Sequence, residues 1–246
     1  MCGIDQGPCG VCGMITIERL NMRAEGVAQG LAVARALPGE VVEGDITDAR
    51  MARPQILLPS PDRVAAPCRH YKACGGCALI HASDGFVARW KHEVVEQALA
   101  AQGLETLFRP LQTSPARCRR RATLTGRRLK SGALVGFHGR ASDILTAIPD
   151  CHLLDPALLA MIPALEELVI AGASRKAEVK FTVLVVDQGV DVAVTGGKPL
   201  DDALRFSLPQ IAGRHGLARL AWDGEVMAQP APPTVPMGRA RTVPPP

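Results

Sequence analysis

Short runs of alternating apolar and polar residues dominate residues 14–59. Ile15, Ile17 and Leu20 alternate roughly, and glycine or proline interrupts the pattern every few residues. The segment Leu37-Pro38-Gly39-Glu40 places proline and glycine at the centre of a turn. No helix of useful length fits this spacing. Several short strands between tight turns predict a small, OB-like β-barrel.

Helical spacing begins after residue 82. Ser83 or Asp84 can cap a helix, and Gly103 ends it. The apolar residues between them recur at helical spacing: Phe86, Val87, Trp90, Val94, Ala98 and Leu99. The remaining pattern predicts two helices, over 155–172 and 199–212, and Pro163 is expected to break the first of them. It also predicts strands over 119–126, 132–138, 144–148, 178–186, 191–195 and 217–222. The predicted fold class is therefore α+β: a small OB-like β-barrel followed by a central α+β domain.

This pattern divides the chain into four segments. Residues 1–13 contain four glycines and no hydrophobic period, which indicates a disordered leader, with Met14 as an alternative start. Residues 14–60 form the predicted barrel, and residues 61–228 form the central domain. Residues 229–246 contain seven prolines, which indicates either a disordered tail or a connection toward a further domain.

Composition excludes two classes of function. The 246 residues contain no uncharged apolar stretch long enough to span a bilayer, so no membrane partner is expected. Aromatic residues make up only 3 % of the chain, which excludes a binding surface of many stacked rings. The net charge of +4 is uneven, since residues 1–130 carry 18 basic and 12 acidic side chains. A basic first half is typical of contact with a polyanion, although ordinary fluctuation explains it equally well.

Eight cysteines are distributed along the chain: Cys2, Cys9, Cys12, Cys68, Cys74, Cys77, Cys118 and Cys151. No basic segment followed by an apolar one opens the sequence, so we expect no signal peptide and a cytoplasmic location. Clustered cysteines in that compartment bind metal or perform redox chemistry more often than they form disulfides. Cys9 and Cys12 form a C-x-x-C pair to which Cys2 adds a third candidate ligand, but no fourth partner is near.

The strongest motif is Cys68-x5-Cys74-Gly75-Gly76-Cys77. Three thiolates within ten residues face one centre only if the chain curls tightly. The glycine pair allows this, because glycine accepts positive φ and exposes N–H groups toward sulfur. Cys151 completes a set of four, with Cys118 as its rival. Four thiolates suit zinc or an iron–sulfur cluster. A zinc ribbon would have a second C-x-x-C knuckle, and none adjoins the motif, so the pattern favours an iron–sulfur cluster over zinc. The alternative to any metal site is that these are unrelated buried cysteines.

Basic side chains concentrate in one short segment that contains no acidic residue: Arg117, Arg119, Arg120, Arg121, Arg127, Arg128 and Lys130. On a strand, Arg119 and Arg121 share one face and Arg120 lies on the other. We expect at least one face to bind the phosphates of RNA, with an affinity that falls steeply with salt. A solvated strand edge protected by charge is the alternative.

The cysteine segment resembles a known family. Residues 67–81 are similar to the cluster-binding segment of the RNA (uracil-5-)-methyltransferases of the TrmA/RumA type. Residues 23–28 and 36–40 resemble that family's TRAM domain, an OB-like RNA-binding barrel, and residues 148–151 resemble its segment with the fourth ligand. The resemblance implies S-adenosylmethionine as methyl donor and a ribosomal rather than a transfer RNA substrate. It also implies a [4Fe–4S] cluster on four ligands: Cys68, Cys74, Cys77 and Cys151.

The sequence departs from the family pattern in two places. Ile80 stands before His81 where the family usually has glutamine. More important, no strand–GxGxxG–helix unit for S-adenosylmethionine occurs in the sequence. We therefore expect the methyltransferase domain to be missing, with no catalytic residue and no activity of this chain alone.

Two hypotheses of different classes follow. The leading one is the RNA-recognition portion of an S-adenosylmethionine-dependent rRNA uracil-C5 methyltransferase, acting as a monomer. The alternative is a stand-alone RNA-binding protein with a structural four-cysteine site for zinc or iron–sulfur and no catalysis.

Overall fold

The computed structural model describes residues 14–237 and 240–244, so the predicted leader with Cys2, Cys9 and Cys12 lies outside the described residues. The described chain divides into two compact units. The first contains the residues up to Pro67 and Cys77–Thr113, and the second contains Cys68–Gly76 and the residues from Ser114 onward. Within the described ranges, every helix is too short or too polar to span a bilayer.

Seven short strands form the N-terminal part of the first unit. They are β1 (Ile15–Thr16), β2 (Arg19–Leu20), β3 (Gly26–Ala28), β4 (Leu31–Val33), β5 (Val41–Glu43), β6 (Arg50–Met51) and β7 (Gln55–Leu58). They pair in two small sheets, with the strand orders β1-β5-β7 and β2-β3-β4-β6. Ile17, Val33 and Val42 belong to one buried apolar cluster. The short strands predicted for residues 14–60 are confirmed, and their assignment to an RNA-binding barrel stays a prediction.

A buried carboxylate fixes the turn before β5. Glu40 accepts hydrogen bonds from the backbone N–H groups of Leu37 (2.8 Å) and Ser60 (3.1 Å) and from the guanidinium of Arg63 (2.7 Å). Arg63 also donates to the carbonyl oxygen of Arg35 (2.7 Å). Burial by itself raises the pKa of Glu40, but these hydrogen bonds outweigh it, so the pKa lies below its usual value. The turn and the segment after β7 are thereby tied together.

One helix, α1 (Asp84–Ala100), completes the first unit. Its predicted cap is confirmed, because Oγ of Ser83 accepts the N–H of Phe86 (3.2 Å). Just before it, His81 is 1 % exposed, and burial together with the charge of Arg63 lowers its pKa to about 4. The ring is therefore neutral at physiological pH. Residues 61–67 and α1, which the sequence pattern assigns to the central domain, lie in this first unit.

A seven-stranded sheet forms the second unit. Its strands are β8 (Arg121–Arg128), β9 (Ala133–His138), β10 (Leu145–Ala147), β11 (Val179–Val186), β12 (Gly189–Thr195), β13 (Arg219–Trp222) and β14 (Glu225–Ala228). Their order is β10-β9-β8-β11-β12-β13-β14, and only β12 and β13 run parallel. The predicted strands are confirmed within a few residues at each end, and β14 is an addition.

Three helices pack on one face of this sheet: α2 (Pro156–Ala160), α3 (Ile162–Gly172) and α4 (Asp202–Arg214). The predicted helix over 155–172 is split at Met161, two residues before Pro163. Alternate residues of the central strands, such as Leu124 and Phe181, join the buried cluster beneath the helices. The opposite face of β8 and β11 carries exposed polar residues.

The proline-rich segment contains a hairpin of β15 (Val235–Met237) and β16 (Ala240–Thr242). It is attached to the turn between β11 and β12. The carbonyl of Thr234 accepts the N–H of Asp187 (2.9 Å), and Arg241 donates to the carboxylate of Asp187 (2.8 Å). The described part of 229–246 is therefore ordered, in contrast to a disordered tail.

The close contact of Gly172 with Trp222 allows the packing of the second unit to be tested by substitution. A Cβ at residue 172 would lie 2.2 Å from Cη2 of the buried Trp222. We expect Gly172→Ala to lower the free energy of unfolding by about 1–3 kcal/mol, the usual cost of overpacking, in urea titrations followed by circular dichroism. Gly213→Ala in α4 is the control, because nothing lies near its Cβ position and alanine favours helix by about 0.5–1 kcal/mol. Equal stability of the two variants would contradict the packing.

Glu40 should make the stability of the first unit depend on pH. Because its folded pKa lies below the ordinary value of 4.5, its contribution is fully present above that value. The contribution is lost as the pH falls through the folded pKa. We expect the difference in unfolding free energy between the parent and Glu40→Gln to be largest at neutral pH and to shrink in acid. A difference that does not vary with pH would be evidence against the buried carboxylate.

Candidate functional site

The first part of the cysteine motif, residues 68–76, folds as a tight loop in the second unit. The N–H groups of Ala73 (3.0 Å) and Cys74 (2.8 Å) both donate to the carbonyl oxygen of His70. The N–H of Gly76 donates to Sγ of Cys74 (3.3 Å). The loop therefore curls tightly and offers a backbone donor to one sulfur, as predicted, but neither Gly75 nor Gly76 adopts the positive φ on which that prediction relied.

The loop lies against the end of β9. The N–H of Gly75 donates to the carbonyl oxygen of His138 (2.9 Å). A Cβ at residue 75 would lie 2.7 Å from that same oxygen, and a Cβ at Gly139 would lie 2.9 Å from the carbonyl oxygen of Ala73. Both neighbours are backbone, which cannot easily move aside. Glycine is therefore required here for close approach of two backbone segments.

Cys151 approaches the same loop from the segment after β10. Asp150 accepts from Nε of Arg69 (3.0 Å) and lies 2.9 Å from Nε2 of His70, so one carboxylate binds both loop side chains. Burial raises the pKa of the Cys74 thiol, the N–H of Gly76 lowers it, and the nearby thiols of Cys151 and Cys68 raise it further. Cys68 and Cys151 thus each lie near Cys74, although 83 residues separate them along the chain.

Three of the four predicted ligands are therefore in the second unit, and Cys77 is the first residue of a segment assigned to the first unit. The rival ligand, Cys118, is exposed, and its Sγ donates to the carbonyl oxygen of Pro115 (2.8 Å). Three thiols with a backbone donor suit a thiophilic metal or an iron–sulfur cluster. As placed, however, no group of three or more His, Cys, Asp or Glu side chains among the described residues could hold a metal ion.

The predicted basic residues occupy β8 and the segment before it. Arg117, Arg119, Arg120, Arg121 and Lys130 are exposed, and Arg127 and Arg128 are half-buried. Along β8 the side chains alternate, so Arg121 and Arg127 point to the open face of the sheet and Arg128 points to the helix-covered face. The strand begins two residues later than the predicted strand, and Arg119 and Arg120 precede it.

Several of these arginines have protein partners. Arg120 donates to the carbonyl oxygen of Val185 (3.1 Å). Arg127 donates to the carboxylate of Glu178 (2.8 Å). Arg117 has a φ of 57°, in the left-handed region that non-glycine residues seldom adopt, and its N–H donates to the carbonyl of His152 (3.0 Å). The exposed set around the start of β8 is therefore held by backbone contacts while its charges face solvent.

Sequence reasoning missed the groups that surround Arg127. His138 lies 2.9 Å from Glu178, and Arg175 and Lys176 line the same cavity. Burial raises the pKa of Glu178, but the hydrogen bonds from Arg127 and His138 hold it below its usual value. No short-range spacing connects these residues, because two strands, β8 and β9, and the loop before β11 supply them. The acid-free run of basic residues in the sequence ended at Lys130 and did not include them.

Comparison with known proteins and the cysteine motif both indicate similarity to RNA methyltransferases. The chain is similar to bacterial RNA methyltransferases. It is 32 % identical over 244 residues to an uncharacterized RNA methyltransferase of Rhizobium meliloti, a match covering 95 % of this chain and 59 % of the relative. It is 35 % identical over 238 residues to an uncharacterized RNA methyltransferase of Caulobacter vibrioides, covering 92 % and 57 %.

A third relative has a more specific name. The 23S rRNA (uracil(1939)-C(5))-methyltransferase RlmD of Bordetella parapertussis is 29 % identical over 218 residues, covering 83 % of this chain and 47 % of the relative. This chain thus spans about half to three fifths of the length of these relatives. No family model matches. The similarity to RNA methyltransferases confirms the broad resemblance, but the matches do not support the expectation of a missing catalytic domain.

A solved structure shares the fold. The tRNA (uracil-54, C5)-methyltransferase of Pyrococcus abyssi, in complex with S-adenosyl-L-homocysteine, superposes with a TM-score of 0.60. The superposition covers 85 % of this chain and 50 % of that protein, at 18 % identity. At this identity the likeness is one of fold.

Gly75→Ala tests the contact between the cysteine loop and β9. The added Cβ would meet the carbonyl oxygen of His138, so the loop must move away from the strand. We expect a lower melting temperature and faster alkylation of Cys151, which is only 9 % exposed, in the metal-free protein. Gly85→Ala is the control, because its Cβ would meet only the flexible end of Arg89 at 3.5 Å. An unchanged rate of Cys151 alkylation in Gly75→Ala would show that the loop does not depend on this contact.

Proposed function

We propose that this chain functions in S-adenosylmethionine-dependent methylation of RNA at uracil C5, and that its described residues bind the RNA. The observation that carries the proposal is the exposed basic set around the start of β8, Arg117, Arg119, Arg120 and Arg121, beside an open sheet face. The names of the relatives support RNA as substrate. The resemblance of the cysteine segment supports C5 methylation.

RNA contacts by these residues would supply the free energy needed to take the target base out of its stack. An enzyme that modifies a base must take it out of its stack, which costs a few kcal/mol and is offset by contacts elsewhere. Arginine and lysine contacts to phosphates supply such energy without reading the sequence. In this proposal Arg127 and Lys130 extend this basic set, and Arg128 adds a phosphate contact from the other face of β8.

We further propose that Cys68, Cys74, Cys77 and Cys151 hold a [4Fe–4S] cluster. The motif is the support for all four ligands. The interaction of Cys68, Cys74 and Cys151 and the Gly76 N–H on the Cys74 sulfur support three of them. The role assigned to the cluster is structural: it fixes the 68–76 loop to the segment that contains Cys151.

The remaining proposals concern the first unit and the substrate. Residues 14–60 act as a TRAM-like barrel that adds RNA contacts, which the two small sheets support. The substrate is ribosomal RNA, which the name of the Bordetella relative supports. S-adenosylmethionine is the methyl donor, supported by the bound S-adenosyl-L-homocysteine of the Pyrococcus neighbour. The protein acts as a monomer in the cytoplasm.

Charge removal at the start of β8 tests the RNA interface. We expect the double variant Arg119→Ala, Arg121→Ala to bind a uridine-containing single-stranded RNA several-fold more weakly in fluorescence anisotropy. The slope of log K against log salt should fall by about 0.7 for each phosphate that the variant no longer binds. Arg205→Ala, on α4, is the control, because it removes an exposed charge from the helix-covered side of the sheet.

The outcomes separate the two hypotheses for these residues. Weaker binding and a smaller salt slope in the double variant, but not in Arg205→Ala, support the interface. The same affinity and slope in both would mean that the basic run is a solvated edge.

Metal analysis with a matched cysteine pair tests the ligand set. Protein purified anaerobically should contain iron and inorganic sulfide, with the broad visible absorbance of a cluster. Cys151→Ser should lose the iron, because it removes one of four thiolates. Cys118→Ser should retain it, since that thiol is exposed and bonded to Pro115.

The metal content of the parent and of the other variants decides between the hypotheses even if Cys151→Ser folds poorly. Zinc in the parent, in place of iron, would contradict the cluster and favour the structural-zinc alternative. Iron loss in Cys118→Ser together with retention in Cys151→Ser would assign the fourth ligand to the rival cysteine. Full iron content and an unchanged melting temperature in Cys74→Ala would contradict the structural role.

A further inference from the structure

A charged cavity of about 300 Å³ lies at the end of β8 in the second unit. Its ionisable lining residues are Arg127, His138, Asp143, Arg175, Lys176 and Glu178. Three cations face two carboxylates, so the lining is net positive when His138 is neutral. A cavity of this size with convergent charged groups is a candidate for a small anionic group rather than for an apolar ligand.

One carboxylate orders two of the lining residues. Oε1 of Glu178 accepts from Nε of Arg127 (2.8 Å), and Oε2 lies 2.9 Å from Nε2 of His138. Arg127 also donates to the backbone carbonyl of Asp143 (2.9 Å). Both oxygens of Glu178 are therefore engaged, and its charge is balanced by Arg127. The guanidinium is held in a fixed position at the edge of the cavity.

The other two cations come from the loop between α3 and β11. Arg175 and Lys176 are exposed, and within the described ranges neither forms an ion pair with an acidic side chain. The N–H of Lys176 donates to Oγ of Ser174 (3.1 Å), which orders the loop. Two adjacent positive charges thus line a cavity without a carboxylate of their own, and they are available to an external anion.

The cavity shares Arg127 with the open face of the sheet. On that face Thr123 is paired with Thr182 and Thr125 with Lys180, and Thr123 and Lys180 are exposed. β8 contains eight residues, a length of about 25 Å. A strip of hydroxyl and cationic groups of this length suits the sugar–phosphate backbone of a nucleic acid, whose phosphates bind Arg, Lys, Ser and Thr.

We propose that this cavity binds a phosphodiester group of the RNA, with Arg175 and Lys176 as its charged donors and Arg127, held by Glu178, as a third. The proposal rests on the RNA-binding function above and adds a site to it. A phosphate contacted by a guanidinium and an ammonium forms charge-assisted hydrogen bonds. Such a contact positions the strand and does not select its sequence.

The test is a double substitution with a double control. Arg175→Ala, Lys176→Ala removes both loop charges and changes no buried contact, since both side chains are exposed. Lys198→Ala, Arg205→Ala removes the same number of charges at positions that do not line the cavity. The whole protein is titrated with fluorescein-labelled, uridine-containing single-stranded RNA over a range of salt concentrations, and circular dichroism confirms that each variant folds.

We expect the loop variant to bind about tenfold more weakly, which corresponds to the removal of about one charge-assisted hydrogen bond. Its salt slope should fall by about 0.7 to 1.4, for one or two phosphates that it no longer binds, while the control keeps the parent slope. Equal affinity and slope of the two double variants, with a parent that binds RNA, would overturn the cavity as a phosphate site. A parent that does not bind RNA would instead overturn the proposed function.

Discussion

The structure of the second unit depends on the close approach of two backbones, the cysteine loop and the end of β9. Gly75 donates to the carbonyl oxygen of His138 at 2.9 Å, and a side chain at this position would collide with that oxygen. Gly139 permits the same approach from the other side. This contact places the loop near Cys151. The proposed ligation by cysteines that are distant in the sequence therefore requires the glycine contact before the thiols can bind one metal centre.

The same strand end connects the cysteine loop with the charged cavity. The backbone of His138 accepts the loop, while its ring contacts Glu178, which in turn fixes Arg127. A short series of contacts thus runs from the proposed cluster to the proposed phosphate site. In this account the cluster needs no redox role. Its contribution is to keep the strand end, and therefore the basic surface, in one arrangement.

Sequence reasoning predicts local features well and long-range ones poorly. Alternation identifies β11, and the cap at Ser83 identifies the start of α1, because both signals are local. The cysteine spacing predicts the tight loop for the same reason. The parallel pairing of β12 with β13, the assignment of α1 to the first unit and the cavity around Glu178 depend on contacts between distant segments. No period or motif records such contacts, so the sequence could not predict Arg175 and Lys176 as part of the surface.

The most direct test of the account is hydrogen exchange at the Gly75 amide in the iron-loaded and the iron-free protein. If the glycine contact places the loop on β9, this amide should exchange slowly already without iron, and ligation by the cysteines should slow it further. Exchange in β12, far along the sheet, should not change. Fast exchange at Gly75 in the iron-free protein would contradict the account, because the position of the loop would then depend on the cluster and not on the contact of the two backbones.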